Sequence, residues 1–597
     1  MIRRALVLIA AFALLSIGSA VARPTVLVGG TVVMTFAGDA KASADARAKV
    51  VQRNVDAAIR ARKPAATIEA VQRKGLYCIV WAGRPICTVD DLQAKANGCS
   101  SKELAERWVR GLRSAVGVGF LAVTPDSLVM GVGGVRTLKV AGLATGPIQV
   151  RASGRGLTAS VSADVITLKA REIGRCTLQV TRGGAAVKVP VAIKEVAGTI
   201  SERVRQDVTG TPASAETLEE GVALGIRTAV TSKPGATVET RMLTPLPSSL
   251  GVGAEATVKV SVSIEGPDYF TVSRVVDVVI RNENTALQAP VLLMLSNRPE
   301  KIGGEGVLFS SAFRRDQPTR LLYSHLNAGG GVQYLWVNLT NPSAEPVRVH
   351  VLQADGGPAQ EELYVGHRCN TRFLEDLSRN QGVVLTIPPH RTWSLAQYRM
   401  PAREIVSGLA QMQLLSGDEL RVTVETSADR ERVGRIEKVV DAPFNPFRIH
   451  PKGVFARPNI LVNEKYVAGS SDAREIPFGK SPWLIDPVSG EPNTGNYGVL
   501  YELRVELQNP TSETRRISLY FQPVNGVALG SFLVEGRLLE SACLKPPARQ
   551  LISTLELLPQ QNRTVRIITM PQAGSHYPAR ILIQSPPQET SRGRDGI

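Results

Sequence analysis

At 597 residues the chain is too long for a single hydrophobic core, and with 43% hydrophobic residues it is too apolar to be disordered; length alone implies roughly four domains. Lys and Arg outnumber Asp and Glu by 70 to 53, so the net charge of +17 points to anionic partners. That charge is dispersed, with no long block of one sign, which excludes a dedicated nucleic-acid tract.

The chain opens "MIRRALVLIAAFALLSIGSAVARPTV". Arg3 and Arg4 form a basic start, residues 5–18 an apolar stretch, and Ala20-Val21-Ala22 a small-residue cleavage site, so residues 1–22 predict a secretory signal peptide. The apolar stretch is shorter than the ~20 residues a membrane-spanning helix needs. No later stretch predicts a transmembrane segment. The expected mature protein is exported to the periplasm or cell surface and carries +15 once Arg3 and Arg4 are gone.

Residues 23–120 predict a small α+β module. "TVLVGGTVVMTFAG" (25–38) alternates like a strand pair, and "SADARAKVVQRNVDAAIRAR" (43–62) predicts a helix with Ser43 as N-cap. "SSKELAERWVRGLRSAV" (100–116) predicts another, with Ser100 and Glu103 as a capping box and Leu104, Trp108 and Leu112 on one face.

Between these helices, "GLYCIVWAGRPICTV" (75–89) places Cys78 and Cys87 in a hairpin. A redox pair needs two intervening residues at a helix start, and a zinc site needs a second ligand pair nearby. If Ala82-Gly83 is a two-residue turn, Cys78 faces Cys87 at a non-hydrogen-bonded position, close enough for a disulfide. The expectation is a disulfide staple, persisting in an oxidising compartment, with two reduced buried thiols as the alternative.

Residues 121–196 change to short alternating strands broken by Gly, Asp and Pro, the pattern of a small antiparallel sandwich. The opening "VTPDSLVMGVGGVRTLKV" and the late "KAREIGRCTLQVT" resemble bacterial immunoglobulin-like domains, which implies an Ig-like β-sandwich with Cys176 as a buried thiol. Residues 197–296 predict an α+β or β domain with one helix, "AETLEEGVALGIRTAV" (215–230).

The rest reads as an internal repeat. "YLWVNLTNPSAEPVRVHVL" (334–352) matches "YELRVELQNPTSETRRISLYF" (501–521), and Met400-Pro401 matches Met570-Pro571, with offsets of nearly the same length. The expected units are sandwiches over 297–430 and 431–585, the second including a connector, followed by a disordered tail at 586–597. "LLYSHLN", "LYVGHRCN" and "RIHPKGVF" make the whole chain resemble large exported bacterial multi-domain proteins, which implies a location and a domain order. The expected fold class is mainly β: a chain of Ig-like β-sandwich modules preceded by a small α+β module.

None of the six His forms a close ligand pair, so no metal site is expected, and no nucleophile elbow, P-loop or dinucleotide fingerprint calls for a cofactor. His325 and Asn327 stand before the glycine-rich segment "NAGGGVQY", and His367 is expected at the end of a strand "LYVGHR". These three are the candidate functional-loop residues, with turn capping or packing as the alternative. The expected function is a non-catalytic envelope protein that binds anionic envelope polymers, glycans or other envelope proteins, or acts as a spacer. The alternatives are a hydrolase or other enzyme with its site near the repeated sandwiches, and an assembly subunit joined through strand edges.

Overall fold

Ser43 accepts a hydrogen bond from the Ala46 amide at 3.1 Å and starts the helix Ala44–Arg60, whose Val51, Val55 and Ile59 are buried. Ser100 and Glu103 bond reciprocally, at 3.0 and 3.2 Å, to open the helix Ser101–Gly117. Both helices cover the hairpin Thr25–Val28/Thr31–Thr35 and the meander Ile68–Arg73, Leu76–Trp81, Arg84–Val89 around one core containing Phe36, Trp81 and Trp108. The computed structural model describes residues 23–37, 43–117, 121–144, 146–154, 156–183, 185–430, 438–440 and 450–585; the expected signal peptide and tail lie outside them. Two compact units divide the chain, the first taking the described residues up to Thr199 together with Ser232–Val238 and Ile264–Val272.

The cysteine hairpin turns at Ala82 and Gly83, both with positive φ (46° and 77°), so Trp81 pairs with Arg84 and Val80 with Pro85 as expected. Beyond that point a β-bulge at Ile86 shifts the register, and Ile79 pairs with Cys87 while Cys78 pairs with Thr88. The expected Cys78–Cys87 pairing is therefore corrected. Without the bulge Ile86 and Val89 would fall on opposite faces; with it both point into the core, at 3% and 0% exposure. Cys87 then faces inward, with Sγ 3.9 Å from the Met34 sulfur, whereas Cys78 lies on the outer face beside Thr88. Both are free thiols, and burial pushes the Cys87 thiol up to about 12.

Residues 122–196 form an Ig-like sandwich. One sheet runs Leu157–Ser162, Val165–Ala170, Val135–Ala141, Ala122–Thr124, and the other contains Ala185–Val196, Gly174–Arg182 and Gln149–Ala152. Leu128–Gly131 joins the second sheet parallel to Ala185–Val196. Inward residues of both sheets, among them Leu138, Ile166, Leu178 and Val191, make the core, with Cys176 as a buried thiol inside it.

In the second unit, strands drawn from several segments between Arg203 and Ala456 build one continuous sheet. Arg203–Thr209 pairs parallel with Val272–Asn282 on one side and antiparallel with Gly382–Ile387 on the other. From there the sheet continues through Val347–Ala359, Ile405–Ser416, Thr319–Asn327, Leu292–Ser296 and Lys452–Ala456. A second sheet of Gly306–Arg314, Glu419–Ser427, Gln333–Thr340 and Thr392–Met400 completes this sandwich. The helix Ala215–Ala229 packs over the strand Arg203–Thr209, where Gly221 and Gly225 leave no room for a Cβ beside Val208 and Val278.

The following sandwich repeats this connectivity. Leu500–Gln508 leads through Asn509-Pro510 into Arg515–Pro523, just as Gln333–Thr340 leads through Asn341-Pro342 into Val347–Ala359. At each corner the asparagine does the same work. Asn341 donates to the carbonyls of Glu345, Ile387 and Pro388 at 2.8, 3.0 and 3.1 Å and accepts from Ser343 N and Oγ at 2.9 and 2.6 Å. Asn509 donates to Glu513, Leu557 and Leu558 at 2.8, 3.1 and 2.9 Å and accepts from Thr511 N and Oγ1 at 3.1 and 2.7 Å.

The two sandwiches diverge after their second matching strand. Where the later one has the hairpin Ser531–Val534/Arg537–Glu540, the earlier one has the helix Glu362–Arg379. This corrects the strand expected at 363–368. Val365, Cys369, Phe373 and Leu374 recur at helical spacing and are all buried, so one face of a helix hides what a strand would leave half exposed. The helix sits where the two sandwiches meet: Cys369, Phe373 and Leu374 share a core with Phe521, Phe532 and Leu533. Gly366 allows its closest approach, since a Cβ there would run into the Ala573 carbonyl oxygen. Buried Arg320 bridges the same junction, donating to Gly498 O, Asn459 Oδ1 and Gln411 Oε1 at 3.0, 3.2 and 3.1 Å.

Candidate functional site

The three candidate residues of the sequence analysis do not assemble into a site. His325 lies in the strand Thr319–Asn327 and is fully buried. Its Nδ1 donates to the Pro299 carbonyl at 2.9 Å, leaving Nε2 to accept from Ser296 Oγ at 2.9 Å. Burial pulls its pKa down to about 4, so the ring is a neutral fastener for the segment 296–299. Asn327, at the end of that strand, donates to Gly331 O and Met400 O at 2.8 Å and accepts from Gly329 N at 2.9 Å, which caps the glycine turn. His367 is in mid-helix rather than on a loop. It bonds Glu540 Oε2 at 2.7 Å, pinning the helix Glu362–Arg379 to the hairpin of the following sandwich.

A cavity of about 550 Å³ opens elsewhere in the second unit, between the start of the helix Ala215–Ala229 and the last turns of the helix Glu362–Arg379. Gln381 sets those two helix ends. Its Oε1 accepts from Ser214 N at 2.9 Å and Thr217 Oγ1 at 2.7 Å, and its Nε2 donates to Pro212 O at 2.7 Å. The floor comes from both sheets: Gln353, Ala354 and Asp355 with Tyr323 and Ala410 of one, and Leu395 and Tyr398 of the other. Tyr398 donates to Asp355 Oδ2 at 2.7 Å and accepts from Tyr323 at 2.8 Å. Burial raises both phenols, so this chain of hydroxyls is neutral.

The walls are acidic. Glu216, Glu220, Asp355, Glu375 and Asp376 line the cavity against Arg372 and Arg379. Arg372 approaches Glu216 at 3.4 Å and Asp355 at 4.0 Å, and Arg379 approaches Glu375 at 3.7 Å. Glu220 is left without an arginine, and Asp376 has only the partly offsetting charge of Arg372. Burial, then the neighbouring Asp355 and Glu216, raises Glu220 to about 7; burial, then Glu216, Glu375 and Glu220, raises Asp376 to about 7. The sequence offered one signal for this wall: Glu216 and Glu220 are four residues apart on a predicted helix, on the face opposite the buried Leu218 and Val222. Asp376 was hidden because the sequence analysis expects a strand at 363–368 and no helix running on from it.

A smaller pocket of about 300 Å³ in the same unit joins Glu300, Glu362, His450, His576 and Tyr497, with Asn297 beside them. His450 Nε2 stands 3.2 Å from Glu300 Oε2, and burial raises the carboxyls of Glu300 and Glu362. Among the described residues no group of three or more His, Cys, Asp or Glu is arranged to hold a metal ion, and no helix is long and apolar enough to cross a membrane.

A family model described as "Domain of unknown function (DUF8459)" matches residues 24–118, the stretch that folds as the α+β module. No curated protein matches the chain. Among solved structures, domains 4 and 5 of the S-layer protein SbsC are similar at 26% identity, over 12% of this chain and 50% of that one, with a TM-score of 0.12. Domains 5–6 of the same S-layer protein share 17% identity over 28% of this chain and 97% of theirs, with a TM-score of 0.12. The insect immune protein hemolin shares 8% identity over 33% of this chain and 62% of its own, with a TM-score of 0.16. The chain thus spans half the length of the first of these structures, and at such TM-scores no function follows from them.

Proposed function

We propose that the protein is an exported, modular envelope protein that binds ligands rather than transforming them, and that the acidic cavity is its binding site. The observation that carries this reading is the cavity itself, held open by helix ends that Gln381 locks and floored by strands of both sheets. The leader-like residues 1–22 and the resemblance of residues 121–196 to bacterial immunoglobulin-like domains support the envelope location. The buried histidines support binding over catalysis, because the rings of His325 and His350 are neutral and tied into the sheet. The general positive charge remains suited to anionic envelope polymers, through a surface separate from this cavity.

The test is retention of the mature protein on isolated envelope fractions across a salt series. Retention that weakens with salt is expected, because exposed charges are screened within about 8 Å at physiological ionic strength. Failure to bind any fraction, or any small molecule in the cavity, overturns the reading. The pocket of Glu300, Glu362 and His450 favours a second reading, a hydrolase, since a buried carboxyl beside a histidine can supply acid–base catalysis. Turnover of an envelope glycan that is lost in Glu300→Gln would establish it.

A further inference from the structure

We infer that the acidic cavity takes an aliphatic ammonium group, presented either by a free polyamine or by a lysine side chain of a protein partner. The inference rests on the cavity being a binding site and adds the class of ligand. Three observations carry it. The first is the charge of the lining, five carboxylates against two guanidinium groups, on a chain whose net charge is +17. The arginines are committed to Glu216, Asp355 and Glu375.

The second is Glu220. It is largely buried, lines the cavity, and has no hydrogen-bond or ion-pair partner among the described residues. A desolvated carboxylate without a donor is costly, and an ammonium group supplies both the missing donors and the compensating charge. Asp376, on the facing helix, makes no side-chain hydrogen bond or ion pair among the described residues, is only partly offset by the charge of Arg372, and adds a second carboxylate for the same cation. The third is the apolar share of the lining. Ala215, Ala354, Leu395 and Ala410, beside the rings of Tyr323 and Tyr398, suit the methylene chain behind an alkylammonium head. A neutral sugar would meet the donors it needs only in part and would leave the carboxylates' charge unbalanced.

Protons compete with the ligand for the same carboxylates. The charged and titratable groups facing Glu220 and Asp376 are Glu216 on the first helix, Arg372, Glu375 and Arg379 on the second, and Asp355, Tyr323 and Tyr398 on the two sheets. With both carboxyls raised to about 7, binding strengthens as pH rises through 7 and fades below it.

The experiment is calorimetry on the mature chain with spermidine, an oligolysine peptide and a neutral oligosaccharide, at pH 8 and pH 5.5. Expected are binding of at least one amine at pH 8, a loss of about tenfold or more at pH 5.5, and a loss of about tenfold or more in Glu220→Gln/Asp376→Asn, which corresponds to about 1.4 kcal/mol. Glu506→Gln, an exposed carboxylate elsewhere, should leave the affinity unchanged. Spermidine binding alone identifies a free polyamine, and oligolysine binding alone a protein lysine. Binding of neither amine, or amine binding indifferent to both the double variant and pH, overturns the inference. If the neutral sugar binds instead and the double variant abolishes it, the cavity remains a binding site and only the ligand class is wrong. Because these substitutions remove buried charge without changing shape, a thermal melt no lower than that of the parent shows that the variant is folded.

Discussion

Replacing Asn341 by alanine removes the peg that fastens one sandwich corner, and replacing Asn509 by alanine removes its counterpart. At position 341 the amide nitrogen has two protons for three carbonyls, those of Glu345, Ile387 and Pro388, and the amide oxygen accepts two further bonds from Ser343. Four full hydrogen bonds are therefore at stake, each with a net value of about 1 kcal/mol. Some return as water enters, so the expected cost is about 3 kcal/mol, and the matching geometry at Asn509 predicts the same cost within about 1 kcal/mol. A chain of several modules does not melt in one step, so the assay is local: amide hydrogen exchange at Ser343 and Thr511, whose N–H groups donate to the two asparagines. Protection at Ser343 should collapse in Asn341→Ala while Thr511 stays protected, and the reverse should hold in Asn509→Ala. A cost below about 1 kcal/mol at either corner would refute the assignment of these bonds as the fastening.

The unpaired carboxyl of Glu220 has a folded-state value near 7 against an ordinary 4.5, so the empty protein binds an extra proton when folded and loses stability as pH rises from about 4.5 to about 7. Discounted for solvent screening, Glu220→Gln should stabilise the chain by about 1–2 kcal/mol at pH 8 and by almost nothing below about pH 4; an equal effect at both would contradict the shift. Peptide mapping without reductant should recover Cys78 and Cys87 unlinked, with Cys87 slow to alkylate at pH 8 because its thiol lies near 12. A linked pair would mean that the bulge at Ile86 is absent. Gly366→Ala should cost about 2 kcal/mol or more by forcing the helix Glu362–Arg379 away from Ala573, whereas a neutral effect in urea denaturation would show a looser junction.

Local signals in this sequence determined local structure. Ser43, Ser100 and Glu103 set helix starts because a cap is satisfied by residues within three positions of it. The Asn-Pro corners were legible as a repeat because each asparagine bonds first to its own turn, two and four residues on. Features that depended on distant partners were not legible. The register of the cysteine hairpin turned on whether Ile86 reached a core contributed by other elements, and that choice moved Cys87 away from Cys78. The segment at 363–368 is helical because it is the start of a helix whose Cys369, Phe373 and Leu374 meet the following sandwich across the junction. The acidic cavity is the clearest case. Glu220 and Asp376 are more than 150 residues apart. Only the pairing of Arg203–Thr209 with Gly382–Ile387 and the lock at Gln381 bring their helices to one opening. A carboxylate's chemistry is set by its surroundings, and here those surroundings are entirely tertiary.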